Sequence, residues 1–125
     1  MILDTNALSA AADEHPSLVR LLARASVLAI PVIVLGEFRY GIAQSRHHAR
    51  YRRWLEGLIQ DSTILDITEA TTLHCAAITL ELRRAGTPIP TNDLWIAALC
   101  RQHDLPLLTL DRHFDAVSSP QRLTW

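Results

Sequence analysis

Lysine does not occur in this chain; all twelve cationic side chains are arginine. That absence removes Schiff-base lysine chemistry and the phosphate-binding lysine of a Walker loop. Glycine is scarce, with four residues, so a Gly-rich phosphate cradle is excluded as well. Cysteine occurs twice, at Cys75 and Cys100, far apart and outside any Cys-x-x-Cys pair. Both read as small buried hydrophobes. The six histidines (His15, His47, His48, His74, His103, His113) show no His-x-x-x-His or Cys/His spacing, which gives a zinc site little support. No apolar run approaches the roughly 20 residues of a membrane span. No basic segment followed by an apolar stretch marks the N-terminus as a secretory signal. The expectation is a cytoplasmic protein without a membrane partner.

What is present describes one globular domain over residues 1–125, with a hydrophobic fraction of 49% and a charged fraction of 20%. A formal net charge of −1 means that affinity for nucleic acid has to come from a local patch or from bound metal.

The opening stretch, Met1-Ile2-Leu3-Asp4-Thr5-Asn6, organises the rest. Ile2 and Leu3 read as a short buried strand, and Asp4 stands where it ends. Thr5 and Asn6 are cap-type residues opening a helix through Ala12. In open α/β sheets ligands bind beyond the carboxyl ends of the strands, so a carboxylate there is placed for chemistry. Taken alone, Asp4 is better explained as a helix cap, since Asp is a preferred capping residue.

Downstream, Pro16 to Ala25 is amphipathic with helical period, and Val27 to Ile30 has strand length. Pro31 suits the first turn of a helix over about Val32 to Gln44. Glu37 lies in that helix with Ile33, Val34, Tyr40 and Gly41 as its neighbours three and four positions away. A carboxylate on such a face needs a partner from another segment, either a metal ion or a tertiary arginine. Ser45 to Gln60 reads as the next helix, with Arg46, Arg50 and Arg53 on one face. That face is either simply solvated or a surface for phosphates or an acidic partner. Thr63 to Ile67 is a strand, and Glu69 to Ala85 a long helix stopped by Gly86. A largely apolar helix starts at Thr91 with Asp93 in its first turn, where the helix dipole stabilises an anion in any case. Leu105 to Leu110 is a fourth strand closing on Asp111; Arg112 to Asp115 forms a turn or short helix, and Arg122 to Trp125 a small edge strand. The alternation implies a central, mainly parallel sheet of four to five short strands with helices on both faces, the α/β class.

Asp4 and Asp111 end parallel strands and share one sheet edge. Asp93 begins the helix feeding the strand of Asp111, and Glu37 lies on a helix leaving that edge. Carboxylates held together must protonate or bind a cation. Oxygen ligands favour Mg²⁺, with Mn²⁺ as the alternative.

The sequence resembles PIN-domain ribonucleases, particularly the VapC toxins of prokaryotic VapBC toxin–antitoxin pairs. The resemblance rests on Leu3-Asp4-Thr5-Asn6, Gly36-Glu37 with Gly41, Asn92 to Ala98, Thr109 to Phe114 and the closing Trp125, in order across the chain. It implies Asp4, Glu37, Asp93 and Asp111 as metal-binding acids, with Thr5, Asn6 and Thr109 orienting them. Asp115, one helical turn past Asp111, is a candidate to share or replace its role. The implied reaction is Mg²⁺-dependent endonucleolytic hydrolysis of RNA by metal-activated water, leaving 5′-phosphate and 3′-hydroxyl ends. The implied partners are the RNA, a second copy in a homodimer, and an antitoxin whose tail enters the acidic groove, forming a larger complex. Arg46, Arg50 and Arg53 are candidate RNA or antitoxin contacts. Competing readings are a receiver- or phosphatase-like Mg²⁺ phosphoryl-transfer domain, a non-catalytic PIN-like binding module and a structure-specific DNA nuclease. The first typically needs a lysine, and its phosphatase form an aspartate where Asn6 stands.

Overall fold

The computed structural model describes residues 1–125. Its centre is β1 (Ile2–Leu3), both residues fully buried, flanked by β2 (Ala29–Pro31) and β4 (Leu107–Leu108). Beyond them lie β3 (Thr63–Leu65) and β5 (Arg122–Leu123), so the order is β3-β2-β1-β4-β5 and every pairing is parallel. The strands are shorter than their apolar runs suggested. Each pairs for two or three residues before the chain turns away into a helix or loop.

Six α-helices connect them: α1 (Thr5–Ala12), α2 (Pro16–Arg24), α3 (Val32–Ala43), α4 (His48–Gln60), α5 (Glu69–Ala85) and α6 (Thr91–His103). The chain winds outward from β1 through β2 to β3, then crosses back past β1 to β4. Because such crossovers are right-handed, the reversal sets α1–α4 on one face and α5 and α6 on the other. Reversal also opens a crevice between β1 and β4 at their carboxyl ends, the position where doubly wound sheets bind ligands.

Local chemistry accounts for the element ends. Gly86 stops α5 in the left-handed region at φ 71°. Thr68 and Thr71 form a capping box at its start, and the buried Thr71 hydroxyl donates to Gln102 of α6 at 2.6 Å. Pro31 closes β2 and precedes α3 rather than opening it. The start of α4 is displaced from Ser45 to His48, because Ser45 caps a turn: its hydroxyl accepts from the His47 N–H at 3.0 Å. Arg46 therefore lies in that turn and does not share a helical face with Arg50 and Arg53. The apolar character of α6 is matched by its position, with Ile96 to Cys100 buried. No helix is long and apolar enough to cross a membrane.

Candidate active site at the β1–β4 crevice

Asp4 follows β1 directly, and its backbone N–H donates to the Leu108 carbonyl at 3.2 Å, which fixes it beside β4. It caps α1, its Oδ1 accepting from the Thr5 N–H at 2.7 Å. The cap uses only one of the two oxygens. The second oxygen accepts from the Thr109 hydroxyl at 2.7 Å and from Asn6 Nδ2 at 3.2 Å.

Thr109 and Asn6 knit the two strand ends together. The Thr109 hydroxyl accepts from Asn6 Nδ2 and from the Asp111 N–H, both at 3.0 Å, while Asn6 Oδ1 accepts from the Leu110 N–H at 3.1 Å. Thr109 is completely buried. Substituting it with valine leaves the Asp111 N–H without its acceptor, and Asn6 Nδ2 and Asp4 Oδ2 each one partner short. The expected loss is about 1–3 kcal/mol in urea unfolding, with divalent-metal affinity down by about tenfold or more as Asp4 and Asp111 lose their alignment. Unchanged values for both would leave Thr109 as packing only.

Asp111 caps a short 3-10 helix (Arg112–Ala116), its Oδ1 accepting from the His113 N–H at 2.8 Å. Asp93 reaches the same region from the first turn of α6, and Glu37 from α3. Electrostatic coupling ties the acids together. The carboxyl of Asp4 is raised by burial first, then by the charge of Asp111, against its hydrogen bonds from Thr109, Thr5 and Asn6. Asp93 is raised by burial, then by Asp111 and Asp4, against His113. Glu37 is raised by partial burial, then by Asp4 and Asp93. As a residue, however, Glu37 is exposed, so the apolar setting inferred from its helical neighbours is only partial; Tyr40, one of them, is 72% exposed.

None of these four acids has an arginine within ion-pair distance. Asp115 does. Arg122 grips it at 2.6 and 3.1 Å, and its carboxyl is shifted down, opposite to Asp4, Asp93 and Glu37. The structure keeps Asp115 out of the cluster, because β5 brings Arg122 up beside it. His113, which the sequence does not single out, is set by the structure beside two of these acids. The imidazole Nδ1 of His113 lies 3.2 Å from Asp93 Oδ2 and 3.3 Å from Asp111 Oδ1. Its position two residues after a capping aspartate was the only signal in the sequence.

The donor set fits a divalent cation. Asp93 and Asp111, with His113, bring ligand atoms within 4.8 Å of one another; Asp4 and Glu37 stand outside that group, joined to it by charge coupling, and the Thr5 hydroxyl is buried with no hydrogen-bond partner. That hydroxyl lies close enough to Glu37 to lower its carboxyl slightly, yet not in hydrogen-bond geometry. From Thr5 and Glu37 an open cleft of about 330 Å³ runs between α1, α3 and α4, past Ser9 and Gly41 to Tyr51. Tyr51 donates its hydroxyl to Asp13 at 2.7 Å there.

Comparison with known proteins bears on this arrangement. The family profile of the PIN domain matches residues 1–120. The chain is 30% identical over 112 residues to Ribonuclease VapC2 of Rickettsia felis, covering 86% of this chain and 84% of the relative. It is 33% identical over 97 residues to Ribonuclease VapC4 of Mycobacterium tuberculosis, covering 76% and 75%. The crystal structure of VapBC2 from Rickettsia felis bound to a promoter DNA fragment superposes with a TM-score of 0.86 at 28% identity, over 99% of this chain and 97% of the other. A receiver- or phosphatase-like assignment is thereby set aside. Matched from its first strand to the end of the 3-10 helix and beyond, the chain belongs to the PIN-domain family and stands with its VapC members.

Proposed function

We propose that the protein is an Mg²⁺-dependent endoribonuclease, the toxin of a type II toxin–antitoxin pair. What supports this reading is the close approach of Asp93 and Asp111, with charge coupling from Asp4 at the neighbouring strand end and from Glu37, and with no arginine paired to any of the four. Asp4, Asp93, Asp111 and Glu37 would hold the ion, and Thr5, Asn6 and Thr109 orient the carboxylates that do so. The ion supplies Lewis-acid charge to a phosphoryl oxygen and makes water nucleophilic near neutral pH. The relatives' names, Ribonuclease VapC2 and VapC4, support RNA as the substrate.

The chain's own groups then divide the remaining work. Buried Asp4 fixes the deep end of the site, while half-buried Asp93 and Asp111 face the entering phosphate. On this reading the RNA strand lies along the open cleft leading from Glu37 to Tyr51. Arg50 stands at its far end, its guanidinium 5.0 Å from the Tyr51 ring centre, with Arg46 and Arg53 exposed nearby. Arg50→Ala is expected to weaken RNA binding and flatten its salt dependence by about 0.7 in log–log slope, one phosphate contact on a single strand. An unchanged slope would remove Arg50 from the RNA path.

The antitoxin reading has the same electrostatic basis, since a guanidinium fork satisfies carboxylates that otherwise require metal. A cognate antitoxin tail added to the cleavage assay is expected to stop it. A homodimer is part of the proposal and is read by light scattering. Function itself is tested on total RNA: cleavage in Mg²⁺, none in excess EDTA, and recovery on adding Mg²⁺ back. RNA left intact in Mg²⁺ and in Mn²⁺ would leave a non-catalytic binding module.

A further inference from the structure

His113 is the one basic side chain within ion-pair distance of any of the four acids. Its ring is 54% exposed, so burial does not force it against the carboxylates. Two local features place it there. Asp111 Oδ1 accepts from the His113 N–H at 2.8 Å, which folds the 3-10 turn back over its own cap. Asp93 then meets the ring from the first turn of α6, twenty residues earlier in the chain.

Asp93, Asp111 and His113 each offer one ligand atom, and the three atoms lie within 4.8 Å of one another. Around a six-coordinate ion with bonds of about 2.1 Å, neighbouring ligands stand about 3 Å apart and opposite ones about 4.2 Å. The contacts of Nδ1 at 3.2 and 3.3 Å have the spacing of neighbours in such a shell. Binding through Nδ1 requires the tautomer with its proton on Nε2.

We propose that His113 Nδ1 is a ligand of the divalent ion, so that the donor set includes a nitrogen and favours first-row transition ions over Mg²⁺. The proposal rests on the reading that the acid cluster holds a divalent ion. Mg²⁺ prefers oxygen and is nearly indifferent to an imidazole, whereas transition ions accept mixed oxygen and nitrogen sets. The alternative is that His113 only bridges two carboxylates until metal displaces it.

The experiment uses the full chain loaded with Mn²⁺ alone and read by pulsed electron paramagnetic resonance. The wild type is expected to show ¹⁴N coupling to the ion, converted to ¹⁵N coupling when the protein carries ¹⁵N-histidine. His113→Gln is expected to lose the coupling, with Mn²⁺ affinity down by about tenfold and Mg²⁺ affinity changed by less than about threefold. Circular dichroism checks the fold of the variant, and the labelled wild type needs no substitution at all. Bound Mn²⁺ without nitrogen coupling, or coupling that survives in His113→Gln, overturns the proposal and leaves the acid cluster as the metal site. Mn²⁺ that does not bind overturns both.

Discussion

Asp4→Asn is expected to lower RNA cleavage by more than about a hundredfold and to weaken Mg²⁺ and Mn²⁺ binding, with the fold retained. The carboxyl is 5% exposed and stands at the carboxyl end of the central strand. Three donors surround it: the Thr5 N–H, the Thr109 hydroxyl and Asn6 Nδ2. Asparagine keeps the shape and the α1 cap if its oxygen faces Thr5. Its amide nitrogen then faces both the Thr109 hydroxyl and Asn6 Nδ2, and two hydrogen bonds are lost at about 1 kcal/mol each. Against that, the variant no longer carries a buried charge whose ionisation is opposed by burial and by Asp111. The two effects have opposite signs, so the melting temperature in EDTA registers only their difference. Metal affinity and cleavage have no such compensation. Full activity in a folded variant would remove Asp4 from the mechanism, and the proposal for the whole crevice would have to be rebuilt without it.

The parts of this site legible in the sequence are those set by local rules. Ile2-Leu3-Asp4 announces a strand ending in a cap, Asp93 the first turn of α6, and Gly86 the end of α5; each depends on neighbours within a few residues. Convergence of Asp4 with Asp111 followed from parallel strands sharing an edge, which the β1–β4 register bears out. What stayed hidden depends on partners brought from elsewhere. Asp115 and Asp111 look alike as carboxylates one turn apart, and only the arrival of Arg122 on β5 separates them. His113 carries no metal-ligand spacing in sequence, because its partner Asp93 belongs to another element. Arg46 lost its helical face to a hydroxyl: Ser45 competes for the turn, and propensity alone does not rank that competition. Glu37 shows the limit of periodicity, since an apolar neighbour in the helix is not an apolar neighbour in the fold.

Divalent metal is expected to stabilise the protein, and more so at pH 7.5 than at pH 5. At a hundred times its Kd, an ion that binds only the folded chain adds about 2.7 kcal/mol, raising Tm by roughly 10 °C for a domain of this size. The pH dependence follows from the direction of the shifts. Asp4, Asp93 and Glu37 are all raised above their ordinary values, so the folded protein holds these protons more tightly than the unfolded chain. Metal-free stability therefore falls as pH rises from the ordinary carboxylate range through the raised folded values, and levels off above them. Glu37 contributes least, being exposed and screened. Metal acts in the opposite sense: it binds the ionised carboxylates and competes with protons, so its increment grows over that same window. Thermal melts in EDTA and in Mn²⁺ at the two pH values measure both trends. Asp93→Asn, which removes the carboxylate shared by the Glu37 and Asp111 sides of the cluster, is expected to flatten the metal increment at either pH. An increment that is absent in the wild type, or that survives intact in Asp93→Asn, would mean that these carboxylates gather for some reason other than an ion.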